Sequence, residues 1–175
     1  MADVFHRQLL RQANRLARLD ARRPQQANLR RAVSAAYYAL FHNLVNEACR
    51  QFLGAGSERR PFRALLARAF QHGDMLETCK AFASATFGHH VQRRLPAGFQ
   101  VPVELQKIAQ TFKDSQQKRH LADYDPSEQF TRGAVLAFIR DVDEAMGSLQ
   151  VMRDRLEVRF FLVCLLARRT LTGRI

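Results

Sequence analysis

The 175-residue chain has no tryptophan, three cysteines, five prolines and eight glycines, and its 28 basic residues face 16 acidic ones. Three cysteines cannot build a disulfide framework. Cys49, Cys79 and Cys164 are far apart, lie in apolar stretches and form no Cys-x-x-Cys pair, so they read as buried thiols in a reducing compartment. Long apolar runs are also missing. The longest near the C-terminus, Phe160-Phe161-Leu162-Val163-Cys164-Leu165-Leu166-Ala167, falls far short of the roughly 20 residues a membrane-spanning helix needs. That run, within an apolar segment 158–167 that ends at Arg168-Arg169, is expected to pack on protein as core or subunit contact, with no membrane partner. Met1-Ala2-Asp3-Val4-Phe5-His6-Arg7 has neither the apolar core nor the cleavage site of a secretory signal, which makes a cytoplasmic location the expectation.

Period-two alternation between turns is absent too, so strands are not expected. With 47% hydrophobic residues and no internal repeat, the chain reads as one all-α domain over 1–175, an antiparallel bundle of four to six helices. His72, Cys79, His89 and His90 lack the paired short spacings of a zinc site, and no metal or cofactor is expected. Gly54-Ala55-Gly56 is no phosphate loop, because no Gly-Lys-Ser/Thr follows.

What the chain does have is positive charge, +12 in all, unevenly spread. Residues 1–70 hold 13 basic against 4 acidic residues, and residues 71–175 hold 15 against 12. Such a field attracts polyanions. Because 24 of the 28 basic residues are arginine, coding bias and solvated helix faces compete with that explanation.

Apolar spacing places the helices. Phe5, Leu9, Leu10, Ala13, Leu16 and Ala17 form one face of a first helix, opposite Arg7, Arg11, Arg15 and Arg18. A second, antiparallel to it, runs from about Gln26 to Leu53 and closes at Gly54. A short segment from Ser57 to about Phe70 precedes a helix at 74–85 with Asp74 as its cap and Glu77 completing a capping box. Residues 86–101, with His89-His90 and Arg93-Arg94, read as a mobile surface loop. Another helix starts near Pro102 and stops around Tyr124. Asp125-Pro126-Ser127-Glu128 then has the form of a helix start, leading into a ladder of Phe130, Ala134, Phe138, Val142, Ala145, Leu149, Met152 and Leu156 on one long helix.

The second helix carries two stripes. Leu29, Val33, Ala36, Tyr37, Leu40, Phe41, Leu44, Val45, Ala48 and Phe52 make an apolar seam, while Arg31, Ser34, Ala35, Tyr38 and His42 lie together elsewhere on its surface. A second polar cluster, Lys118-Arg119-His120-Leu121-Ala122-Asp123-Tyr124-Asp125, precedes the last long helix.

Together these elements resemble the HEPN family of small helical domains, in which a helix with an Arg-x-Ala-x-Ser-x-x-Tyr-Tyr-Ala-x-Phe pattern precedes a short polar motif. The first element is Arg31-Ala32-Val33-Ser34-Ala35-Ala36-Tyr37-Tyr38-Ala39-Leu40-Phe41, and Arg119-His120-Leu121-Ala122-Asp123-Tyr124 looks like the family's Arg-x-x-Ala-Asp-Tyr variant. The resemblance spans residues 5–155. It implies a helical, often dimeric, domain associated with RNA or nucleotides, and a cognate nucleotidyltransferase-like partner where such domains belong to toxin-antitoxin systems. Some members cleave RNA without metal through an Arg-x(4–6)-His motif.

In that motif the arginine stabilises charge on the phosphoryl oxygens and the histidine moves a proton near neutral pH. Counting from Arg119, the histidine positions are Tyr124, Asp125 and Pro126, so none is in register. Asp123 is no substitute, being nearly proton-free at pH 7 and repulsive to phosphate. The resulting expectation is an RNA- or nucleotide-binding dimer using Arg31, Tyr38, His42 and Arg119, with Ser34, Asp123 and Tyr124 in a structural polar network. Two alternatives stand beside it: a metal-independent endoribonuclease of a toxin or defence system drawing on His42, His120 and Arg119, and an interaction module docking through the C-terminal apolar segment.

Overall fold

A computed structural model describes residues 4–20 and 22–168; Met1–Asp3 and Arg169, which enter the sequence reading above, lie outside them. The described residues are all-helical and contain no strand. In order they form α1 (Phe5–Arg18), α2 (Gln26–Leu53), a 3-10 turn at Ser57–Arg59, α3 (Arg60–Ala67), α4 (His72–Ala83), the single-turn α5 (His89–Gln92), α6 (Val103–Tyr124), α7 (Arg132–Met152) and α8 (Leu156–Leu166). No helix among them is long and apolar enough to cross a membrane.

Four to six helices were expected and eight are seen among the described residues, for two reasons. The long C-terminal helix breaks after Met152, where Arg155 turns extended to become the N-cap of α8. Segment 86–101 is also no plain surface loop: it contains α5 and buries Phe87, Val91 and Val101. Two helix starts differ as well. Asp74 lies inside the first turn of α4, whose N-cap is Gln71, and its carboxylate receives Arg168 at 3.2 Å. Asp125 starts no helix. Its carboxylate accepts the Ser127 amide and hydroxyl, closing a turn, and α7 begins seven residues later at Arg132, preceded by Thr131, whose hydroxyl accepts the Ala134 N–H. The ladder of α7 accordingly shifts: Ala134 and Leu156 are exposed, while Val135, Ile139 and Met146 are buried beside Phe138, Val142, Ala145 and Leu149.

α2 has the bounds expected from its spacing, and Gly54 beyond it takes the left-handed conformation at φ +78°, returning its N–H to the Arg50 carbonyl. Its seam is buried from Leu29 to Ala48, and Phe52 in the last turn is exposed.

The contacts gather into two compact units, Met1–Asn43 with Thr111–Gly147 and Leu44–Gln110 with Ser148–Ile175. In the first, α1 runs antiparallel to the start of α2: the Phe5 ring meets His42 at 5.0 Å, and Asn28 Nδ2 donates to Asp20 Oδ2 at 2.7 Å. Arg7 pairs with Asp143 on α7 at 2.6 Å. Arg132 donates to the carbonyls of Ala17, Leu19 and Asp20, satisfying the acceptors left open where α1 ends.

In the second unit, α8 packs on α4. Phe161 and Phe160 lie 4.9 and 5.8 Å from Phe82, and the Thr78 hydroxyl donates to the Cys164 carbonyl at 2.9 Å. The C-terminal apolar run is therefore core, with Val158, Phe161, Leu162, Cys164 and Leu165 buried. All three cysteines are free and buried. Burial pushes the Cys49 thiol up to about 11 and the Cys164 thiol to about 12, and raises that of Cys79 well above its ordinary value, so all three are protonated and unreactive at neutral pH.

Phe161→Ala is expected to cost about 3–5 kcal/mol through lost burial and the cavity left behind. Phe62→Ala, on the exposed face of α3, should stay within about 0.5 kcal/mol. Urea denaturation of both variants checks the assignment.

Candidate functional site

The polar cluster forms where the last turn of α6 meets the first half of α2, inside the first unit. Arg30 holds that junction. Its Nη1 donates to the carbonyls of Leu121 and Ala122, its Nη2 to those of Asp125 and Glu128, at distances between 2.6 and 3.4 Å, and its guanidinium lies over the Phe130 ring. One cation thus satisfies the open Ala122 carbonyl, adds a second donor to that of Leu121, which also accepts the Asp125 N–H, and shapes the turn that follows. Gln26 adds a paired bond, donating to the Phe130 carbonyl and accepting the Phe130 N–H.

With α6 so held, Asp123 projects toward α2. Its Oδ1 accepts the hydroxyl of buried Ser34 at 2.6 Å, and its Oδ2 lies 2.7 Å from Arg119 Nε. That second contact is an ion pair in which the Nε–H is not aligned for a hydrogen bond. The two side chains are 21% and 25% exposed, so the pair is shielded from solvent more than a surface bridge is.

Arg119 also donates from Nη2 to the Tyr38 hydroxyl at 3.3 Å, and its guanidinium lies 5.7 and 5.6 Å from the ring centres of Tyr38 and Tyr124. Burial works to lower its pKa, but Tyr38, Asp123, Tyr124 and Tyr37 outweigh it and the net direction is up. Arg119 is a fixed cation.

Ser34, Tyr38, Arg119, Asp123 and Tyr124 are thus one network. His120 is exposed, with its ring 5.1 Å from that of Tyr124. His42, half-buried, stacks on Tyr38 at 6.3 Å and meets Phe5 and Phe41 edge-on. Arg31 is exposed and forms no ion pair with Asp123, although both line an open concavity of about 370 Å³ together with Ala27, Arg30, Ala122 and Tyr124. The second stripe of α2 is therefore largely enclosed: Ser34 and Ala35 are buried, Tyr38 and His42 half-buried, and Arg31 alone among its five members is exposed.

No protein-family model matches the chain, and no curated protein or solved structure matches it.

The residue missed in the sequence is Arg30. Counted back from Ser34, the arginine of an Arg-x-Ala-x-Ser pattern is Arg30, with Ala32 two residues on; beginning the element at Arg31 places it one residue late. That spacing was the available signal. His6 was missed as well. It lies buried on α1 with Nε2 at 3.4 Å from Asn43 Nδ2, and neither His6 Nδ1 nor Asn43 Oδ1 has a hydrogen-bond partner among the described residues. Burial, then Arg7 and His42, lower its pKa from 6.5 to about 4. Among the described residues no group of three His, Cys, Asp or Glu side chains is placed to hold a metal.

Two outcomes follow. Arg30→Ala should destabilise the fold by about 2–4 kcal/mol, because several carbonyls lose a charged donor at once, whereas exposed Arg31→Ala should stay within about 0.5 kcal/mol in the same denaturation experiment. His6 binds its proton more weakly folded than unfolded, so its contribution is complete above pH 6.5 and is lost as pH falls from 6.5 toward 4. Unfolding midpoints across that window should drop in the unaltered chain and flatten in His6→Leu.

Proposed function

We propose that the protein is a HEPN-like helical bundle, acting as a homodimer, that binds RNA or a nucleotide at the α2–α6 junction and does not cleave it efficiently. The observation that carries this reading is the Arg119–Asp123 pair at 2.7 Å. A carboxylate already occupies the Nε side of the guanidinium, and Ser34 anchors it there. Charge developing on a phosphoryl oxygen would meet a neutralised arginine and a neighbouring anion.

Binding has support from the rim of the same concavity. Tyr124 is 64% exposed, its ring beside exposed His120 and above Arg119, and Arg31 stands on the neighbouring turn of α2. An exposed aromatic face flanked by guanidinium groups suits an unpaired base stacked on the ring with its phosphate held alongside. The exposed arginines of α1, Arg11, Arg15 and Arg18, extend positive charge over the same unit.

Arg31 and Tyr124 are both exposed, and replacing them leaves the Ser34–Asp123, Asp123–Arg119 and Arg119–Tyr38 contacts in place. Tyr124→Ala is expected to weaken binding of a mixed-sequence single-stranded RNA about 5- to 150-fold in an electrophoretic shift at low salt, the range of one stacked base. Arg31→Ala should reduce both affinity and its salt dependence. RNA incubated in EDTA should remain uncut. Unchanged binding in the double variant would overturn the site, and cyclic-phosphate products lost in His42→Ala or His120→Ala would make the protein a ribonuclease instead.

A further inference from the structure

A second concavity, of about 330 Å³, lies in the other unit. Its walls carry Glu47, Arg50 and Gln51 from the last turns of α2, Arg153 and Asp154 from the break between α7 and α8, and Arg159 from α8. Glu47 is 6% exposed, and no hydrogen bond or ion pair joins its carboxylate to a described residue. Its side chain lines the concavity, and a carboxylate with little access to water and no donor from the described residues is suited to a donor supplied from outside.

The arginines around it are not spent on structure. Arg153 and Arg159 each lie 3.7 Å from Asp154, which is 82% exposed, and long exposed pairs of this kind hold a guanidinium weakly. Arg50 is exposed one turn beyond Glu47. What is fixed is the frame, since the Gln51 amide donates to the Arg153 carbonyl and ties the end of α2 to the helix break.

We infer that this concavity binds a small phosphomonoester that carries an amine, the phosphate between Arg50, Arg153 and Arg159 and the amine on Glu47. Charge selects this class. Three guanidinium groups against two carboxylates leave the walls at +1. A phosphomonoester carries about −1.5 to −2 at neutral pH, and an ammonium brings the ligand to about −0.5 to −1, opposite in sign to the walls. An amino acid with an uncharged side chain has no net charge to offer. An RNA strand brings a phosphodiester charge at every nucleotide with no ammonium to offset it, and the Glu47 carboxylate repels it. Guanidinium forks match phosphate oxygens, and the ammonium supplies the donors that Glu47 lacks.

The test is calorimetric titration of the full chain, at neutral pH and low salt in a phosphate-free buffer, with O-phosphoethanolamine and with glycerol 3-phosphate, which lacks the amine. O-phosphoethanolamine should bind about 10- to 150-fold more tightly, the worth of one hydrogen bond between charged groups. Glu47→Gln, of nearly the same shape, should bring the two ligands to equal affinity. Arg159→Ala, exposed and away from the core, should weaken both about tenfold. Equal affinities in the unaltered chain, no binding of either at millimolar concentration, or indifference to Arg159→Ala would overturn the proposal. So would a preference for the amine that survives in folded Glu47→Gln.

Discussion

The first unit depends on one guanidinium. Four backbone carbonyls at and after the end of α6 accept from Arg30; those of Leu121 and Asp125 also receive a backbone N–H, from Asp125 and Glu128, while those of Ala122 and Glu128 rely on the guanidinium. Because Arg30 sits on rigid α2, the bond does more than close a helix: it sets the distance from α6 to α2, and with it the reach of Asp123 to Ser34 and of Arg119 to Tyr38. The device recurs. Arg132 serves the end of α1, while Arg59 and Arg63 donate to the carbonyls of Leu53, Gly54 and Gly56 after α2. Arginine does this better than lysine, since one planar group reaches several acceptors. A share of the +12 charge is therefore structural, engaged with neutral carbonyls inside the chain, and only the remainder forms the field that a polyanion meets.

The polar network gains its character from the side chains around it. A carboxylate and a guanidinium on successive turns of an exposed helix are worth little. Three tyrosine rings around Arg119 and the Ser34 hydroxyl behind Asp123 turn the same pair into a fixed feature. Tyr38 is shared between that pair and the His42 ring, so Arg119 and His42 are neighbours of one phenol.

Helix bounds set by continuous apolar spacing were legible in the sequence: α2 ends at Leu53 because Gly54 can turn left-handed, and α6 ends at Tyr124. Starts inferred from capping residues were not. Asp125-Pro126-Ser127-Glu128 has the local chemistry of an N-terminus, but the carbonyls of Asp125 and Glu128 are taken by Arg30 from 95 and 98 residues away, and a distant donor leaves no mark on the local pattern. The site shows the same division. Ser34, Tyr38, Arg119, Asp123 and Tyr124 could be named from two motifs, whereas whether Asp123 faces Arg31 or Arg119 depended on side-chain directions that spacing leaves open. Glu47 carried no signal at all, because on helical spacing it is one more polar residue beside an apolar seam, and its burial is a product of the surrounding helices.

The three thiols have a consequence beyond packing. Cys49, Cys79 and Cys164 all belong to the second unit, and the first contains none. Each is buried and protonated, so an alkylating reagent can reach it only when the backbone around it opens. The chain thus carries an internal clock for the breathing of one half and is silent for the other. Thiol labelling separates the opening of the half that holds Glu47 from that of the half that holds Arg119.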